Sequence, residues 1–320
     1  MRTPRTRSLL AALLALMMVL AACNGDNGET AADVEEDDAP LALDLDDADD
    51  EEAAEEEEAE EPVEEEAAFD LVAAVTDYTE TIPEGWMFHR TIEDFDEARQ
   101  VEGTMILDVR TPGEIEENGV IPGTTAITLR ELGENLNHIP TDQPVIVVCA
   151  AGWRAGIATS ALRMLGYDNV LGYRAGAPGW EAEGNELVFE TEELEEFGMP
   201  DADPELIAAI DDFLTTIPDG WLTAGSAEDV LEAQAAGATI IDVRQPDEYQ
   251  DGSLPDTISI PIRELAASDQ IPTDTNVIVH CQSGWRAGLS IPIFHLLGYD
   301  NVTGFGGNFD ALAEAGNVEL

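Results

Sequence analysis

The feature that most limits how this chain folds is a duplication. TIPEGW (81–86) returns as TIPDGW (216–221), LDVRTPGE (107–114) as IDVRQPDE (241–248), and LREL (129–132) as IREL (262–265). VIVVCAAGWRAG (145–156) returns as VIVHCQSGWRAG (277–288), and IPTD and GYDNV also occur twice in the same order. The repeat is far longer than a solenoid unit, so the 320 residues are read as two tandem domains, each with chain enough for its own core. They are placed at 69–190 and 203–320, with a short acidic linker at 191–202.

Within each copy, apolar runs of strand length alternate with helical patterns. TMILDV, TIIDV and VIVVC read as short buried strands, and PGEIEENG and PDEYQDG as helix starts with proline in the first turn. RAGIATSALRMLGY places Ile157, Leu162 and Leu165 on one helical face and stops at Gly166. This alternation predicts an α/β fold, each domain a parallel sheet flanked by helices on both faces. Functional groups in such sheets gather at the carboxyl ends of the strands, where Cys149 and Cys281 fall.

Each cysteine opens a loop into a helix: Cys149, Ala150, Ala151, Gly152, Trp153, Arg154 in one copy, Cys281, Gln282, Ser283, Gly284, Trp285, Arg286 in the other. Inward backbone N–H groups and the helix dipole favour an anion there, and a thiol so placed has its pKa drawn from about 8.5 toward roughly 3.5 to 7.5. Gly152 and Gly284 permit the tight turn. Arg154 and Arg286 are expected to bond loop carbonyls or to hold the strand-end carboxylates Asp108 and Asp242, with Arg110 and Arg244 also supporting the loop. Gln282 and Ser283 offer more hydrogen bonds than Ala150 and Ala151, which favours Cys281 as the more active cysteine.

Other readings of the same residues are weighed by repetition. A single buried cysteine is ordinarily core, but two with Gly and Arg at fixed offsets point to a site. One cysteine per domain at equivalent positions argues against a structural disulfide. His280 points to the face opposite Cys281, with Val148 in its place in the first copy, and His89, His138 and His295 have no metal-ligand spacing, so no metal is expected. Trp153 and Trp285 either wall the site or pack on the next helix; Trp86 and Trp221 read as core anchors; Trp180 has no counterpart, with Leu312 nearby in the second copy.

The loop, the DVR strand with its proline-started helix, the IPT approach and the GYDNV segment together resemble the rhodanese family of sulfurtransferases over nearly all of both domains. The resemblance implies that Cys149 and Cys281 take sulfane sulfur from a small thiosulfate-like or persulfide donor and pass it to a thiol or cyanide acceptor, with no cofactor. Cysteine phosphatases have one more residue between Cys and Arg, which this loop lacks. Two departures stand out: VIPG (120–123) and SLPD (253–256) replace the family's His-Ile-Pro-Gly, and neither cysteine is followed by a cation. The opposing reading is a module that uses this fold to bind a partner or sense redox state.

Ahead of the repeat, Arg2, Arg5 and Arg7, an apolar run from Leu9 to Leu20 and the sequence Leu20-Ala21-Ala22-Cys23 resemble a lipoprotein signal peptide, 1–23. The resemblance implies lipidation of Cys23 and an extracytoplasmic, membrane-anchored protein; an uncleaved membrane helix is the other reading. Residues 24–68 are a polyanion with little to bury, read as a disordered acidic stalk, or alternatively as a site for cations. The formal net charge is −56 and all 13 basic residues are arginine, which excludes nucleic acid as a partner and points to adaptation to high salt. The oligomeric state is left open.

Overall fold

The structure, a computed structural model, describes residues 68–318. The expected signal peptide with Cys23, and the acidic stalk up to residue 67, lie outside the described residues. Among the described residues no helix is long and apolar enough to cross a membrane.

In the first copy the chain runs through α1 (Leu71–Thr81), β1 (Phe88–His89), α2 (Ile92–Arg99), β2 (Met105–Asp108), α3 (Pro112–Asn118), β3 (Thr124–Ala126), β4 (Val145–Val148), α4 (Trp153–Met164), β5 (Val170–Tyr173) and α5 (Gly176–Ala182). The second copy repeats the plan with α6 (Pro204–Thr216), α7 (Ala227–Ala235), β6 (Thr239–Asp242), α8 (Pro246–Asp251), β7 (Thr257–Ser259), β8 (Val277–His280), α9 (Trp285–Leu296), β9 (Val302–Gly304) and α10 (Phe309–Ala315). Every strand pairing is parallel, in the orders β1-β5-β4-β2-β3 and β7-β6-β8-β9, so the expected parallel α/β architecture is what forms. Where β1 would stand in the second sheet, Thr223 makes only a single bridge to Gly304.

Local chemistry explains the helix starts. Pro112 and Pro246 occupy the first turn; Thr111 and Glu114 cap each other reciprocally, and Glu248 accepts from the Gln245 amide, which satisfies amides left unpaired at a helix start. Strand β4 shows period two within a run that is apolar throughout: Val147 faces one core, Ile146 the other.

Those two faces have different partners. The inner faces of both sheets share one continuous core, which joins Leu107, Val147, Ile157 and Leu162 to Ile241, Val279, Leu289 and Ile293. The outer faces keep separate clusters, one around Phe95, Ile106 and Trp180, the other around Val230, Ile278 and Leu312. Helices α4 and α9 pack against each other at the centre, and α1 and α6 each cross to the other copy: α6 lies on the turns 129–138, α1 on the turn 262–264. Segment 191–202, expected as a linker, is held along the first sheet, with the Glu192 amide donating to the Thr124 carbonyl (2.8 Å) and the Phe197 amide to that of Asn137 (2.8 Å).

Candidate active site

Cys149 follows β4 and Cys281 follows β8, both on the inner side of their sheets, and both thiols are free. They are 1% and 0% exposed, so both lie beneath the surface. Gly152 and Gly284 take the left-handed conformation (φ 83° and 77°) that turns the chain into α4 and α9. A side chain at either would also strike the backbone of the neighbouring strand end, Arg174 O at 2.7 Å or Gly306 O at 2.1 Å. The turn aims amides at the sulfur, as the sequence predicts: Gly152 N–H donates to Cys149 Sγ at 3.1 Å and Ala155 N–H at 3.4 Å. No such amide contact to Cys281 occurs among the described residues.

The loop arginines do not hold the strand-end aspartates. Asp108 is saturated by Arg110, two residues on, whose Nε and Nη2 donate to it at 2.9 and 2.7 Å; Asp242 and Arg244 form the same buried fork. Arg110 and Arg244 spend their remaining reach on the carbonyls of Gly119 and Gly252 at the ends of α3 and α8. A partner two residues away closes on the aspartate at little cost in chain entropy, which leaves Arg154 and Arg286 to seek another carboxylate. They find Glu114 and Glu248 in parallel two-bond forks of 2.5–2.6 Å. The Arg154 bonds hold the Glu114 carboxyl down at about 2. Burial pushes Glu248 up, but Arg286 and the Gln245 amide outweigh it and its pKa is lowered. Burial works against each guanidinium charge, while the glutamate and the cysteine of its own loop favour it.

Glu114 and Glu248 are the site residues that sequence reading missed. Their signal was present: each occupies the same place in both copies of the DVR segment. One glutamate does both jobs, since its carboxylate caps α3 or α8 and clamps the loop arginine.

The tryptophans depart most from expectation. Trp153 and Trp285 neither wall their own site nor pack on the next helix; each crosses into the other domain. The Trp285 indole lies on Gly172 of β5 and beside Phe88 (ring centroids 5.3 Å), and Trp153 lies on Gly304 of β9. Their Nε1–H groups donate to main-chain carbonyls there, Trp285 to Trp86 (2.6 Å) and Trp153 to Trp221 (2.7 Å). Trp86 and Trp221, expected as core anchors, are half-buried and pack against the edge of the shared core. Each sits in a turn with left-handed φ at two successive non-glycine residues, Trp86–Met87 (59°, 55°) and Trp221–Leu222 (54°, 56°). Such backbone costs about 1–2 kcal/mol per residue and persists only where the surroundings fix it. Trp180 is buried as a T-shaped neighbour of Phe95, and the second copy closes the same end with Leu312 and Phe309.

The residues after the cysteines separate the two loops. Beside Ala150 a cavity of about 180 Å³ opens, lined by Arg110, Glu114, Ala177, Pro178 and Leu187. At the matching position Gln282 turns its side chain toward Arg244 (3.4 Å), and the Arg244 guanidinium is covered by the Phe309 ring at 3.7 Å. Gln282 thus accepts from Arg244 through its Oε1, and no bond from its side chain to Cys281 occurs among the described residues. Ala151 is exposed and Ser283 half-buried. His280 is on the face away from Cys281, as expected, stacked on Phe309, with both ring nitrogens lacking hydrogen-bond partners; burial lowers its pKa to about 4. Arg174, at the end of β5, is exposed and has no ion pair among the described residues; its Cγ lies against Gly152.

A parallel α/β sheet carrying a cysteine at a central strand end, cradled by a loop and braced by a buried Arg–Glu fork, defines a cysteine-loop domain, here present twice. The chain belongs to the rhodanese-like family: the Rhodanese-like domain matches at residues 91–183 and again at 226–315. A sulfurtransferase of Allochromatium vinosum is 32% identical over 87 residues, covering 27% of this chain and 80% of that protein. The thiosulfate sulfurtransferase GlpE of Pseudoalteromonas translucida is 31% identical over 100 residues, covering 31% and 94%. Among solved structures, SseA of Escherichia coli, described as a 3-mercaptopyruvate sulfotransferase, is 20% identical, covers 68% of this chain and 96% of its own, and has a TM-score of 0.34.

Proposed function

We propose that the protein is a sulfurtransferase that works through a cysteine persulfide. The observation that carries this reading is the Cys149 sulfur at a strand end with two loop amides directed at it, in a chain whose relatives include sulfurtransferases. The Cys149 thiolate attacks the outer sulfur of a thiosulfate-like donor; the donor S–S bond breaks and sulfite leaves with the electron pair. The terminal anionic sulfur of the persulfide then occupies the amide cradle. Cyanide or a thiolate acceptor attacks that sulfur, and the cysteine thiolate is regenerated. With the amide contacts and the cavity on its side, Cys149 is the better placed of the two cysteines.

The test is peptide mass spectrometry of the full chain before and after thiosulfate, and after a neutral polysulfide donor, with Cys149→Ser and Cys281→Ser controls. One sulfur added at Cys149 and removed by cyanide is the expected result; no gain at either cysteine from either donor defeats the proposal. The near-complete burial of both thiols favours one rival, a fold used for binding alone, which that negative result would support.

We further propose that the protein lies outside the cytoplasm on a lipid anchor at Cys23, a reading supported by the basic, apolar and Leu-Ala-Ala-Cys order of residues 2–23. Labelling of the expressed chain with a fatty-acid probe, lost in Cys23→Ser, is the expected outcome.

A further inference from the structure

We infer that Trp86 and Trp221 are positioning residues that act across the domain boundary, each holding the loop arginine, and through it the cysteine, of the opposite domain. The inference rests on reading the two cysteines as the reacting groups. The Trp86 ring lies under Arg286 (4.9 Å from guanidinium carbon to ring centroid) and Trp221 under Arg154 (4.8 Å). A second arginine of the opposite domain stands over each ring, Arg263 at Trp86 (5.2 Å) and Arg130 at Trp221 (4.5 Å). Those same arginines donate through Nε to the carbonyls that end α1 and α6, Ile82 and Ile217, at 2.6 and 2.8 Å. The turn carrying each tryptophan is thus held from the opposite domain at both its ends.

The contacts close on themselves. Trp285 and Arg286 are neighbours in sequence: the first donates its indole hydrogen to the carbonyl of Trp86, and the second rests on the Trp86 ring. Trp153 and Arg154 grip Trp221 in the same way. The edge of each guanidinium is taken by its glutamate fork and a face is covered by the ring, so the arginine has little freedom left and little access to water. A cleft of about 400 Å³ lies against one of these clamps, lined by Glu84, Trp86, Gln245, Asp247 and Glu248 from both domains. Each of the two equivalent turns holds two successive left-handed residues, a backbone that persists only where its surroundings fix it, and these clamps supply that fixing.

The experiment follows alkylation of each cysteine by iodoacetamide in the full chain, from pH 5 to 10, by peptide mass spectrometry. The variants are Trp86→Leu, Trp86→Phe, Trp221→Leu and Trp221→Phe, with thermal midpoints measured alongside. Trp86→Leu is expected to move the pH midpoint of the Cys281 rate profile up by about half a unit, with the midpoint of Cys149 unchanged. Trp221→Leu is expected to do the reverse, and the phenylalanine variants, which keep an aromatic face, to restore most of the midpoint. An effect on the cysteine of the same domain, or on both alike, overturns the inference. If a leucine variant does not fold, the milder crossed shift in its phenylalanine counterpart decides the matter, and its absence overturns the inference as well. Alkylation needs no sulfur transfer, so a crossed effect without persulfide formation removes only the proposed reaction, and persulfide formation without a crossed effect removes only this inference.

Discussion

In the first domain Cys149 is followed by Ala150, a cavity opens beside the loop, and Arg174 from the next strand lies against Gly152. In the second domain the Gln282 side chain reaches Arg244, Phe309 covers Arg244, and the counterpart of Arg174 is Gly306. Yet both loops share the left-handed glycine, the Arg–Glu fork and the buried Asp–Arg pair. The frame that holds the sulfur is therefore common to the two sites, and the groups that govern approach to it are not. Duplication preserved the parts that must close for the strand end to be stable and left the approach free to diverge.

The largest expected effects test the common frame. Asp108→Ala and Asp242→Ala each strand a buried guanidinium and should cost about 3–5 kcal/mol by denaturant unfolding. Equal losses sharpen the claim of a shared frame; a large difference between them breaks it. Next comes His280, whose counterpart is Val148. Its folded pKa, about 4, lies below the ordinary value of 6.5 because burial disfavours the charge; Asp242, at 3.7 Å, only partly offsets this, and Arg244 adds to it. The unfolded chain thus takes the proton first: stability is whole above about pH 6.5 and falls as pH drops toward 4, by on the order of 3 kcal/mol. His280→Val should flatten that part of the stability–pH curve, whereas Val148→Leu should not.

A smaller effect probes the exchange of tryptophans. Gly172→Ala places a methyl 2.0 Å from Trp285 and Gly304→Ala one 2.4 Å from Trp153, and overpacking of this kind costs about 1–3 kcal/mol. Loss of thermal midpoint in both, with the domains unfolding together, is expected from a core they share. The smallest concerns approach. The ratio of iodoacetate to iodoacetamide alkylation should be higher at Cys149 than at Cys281 by about two- to three-fold at low salt, and Arg174→Gly should abolish the difference.

The segments by which the duplication was recognised turn out to be those that meet across the boundary. TIPEGW and TIPDGW supply the tryptophan turns, LREL and IREL the second arginine, and the cysteine loops the indoles that cross. Fold class was legible because parallel strands buried on both faces read as apolar runs, and helix starts carry their proline and capping residues in sequence. The cysteine loop was legible because its glycine and arginine sit at short, fixed offsets. The partner of Arg154 was not, since Asp108 and Glu114 are both acidic, both near, and differ only in which is already occupied.

The sequence by itself determined two copies of a parallel α/β domain and one cysteine at a strand end in each, through patterns that act within a few residues of the backbone. Only the tertiary structure decided that the inner faces fuse into one core, that each tryptophan crosses to the other copy, and that Cys149 and Cys281 differ in approach. Those outcomes depend on which of several chemically equivalent partners lies within about 3 Å once distant segments pack, and no local pattern encodes that distance.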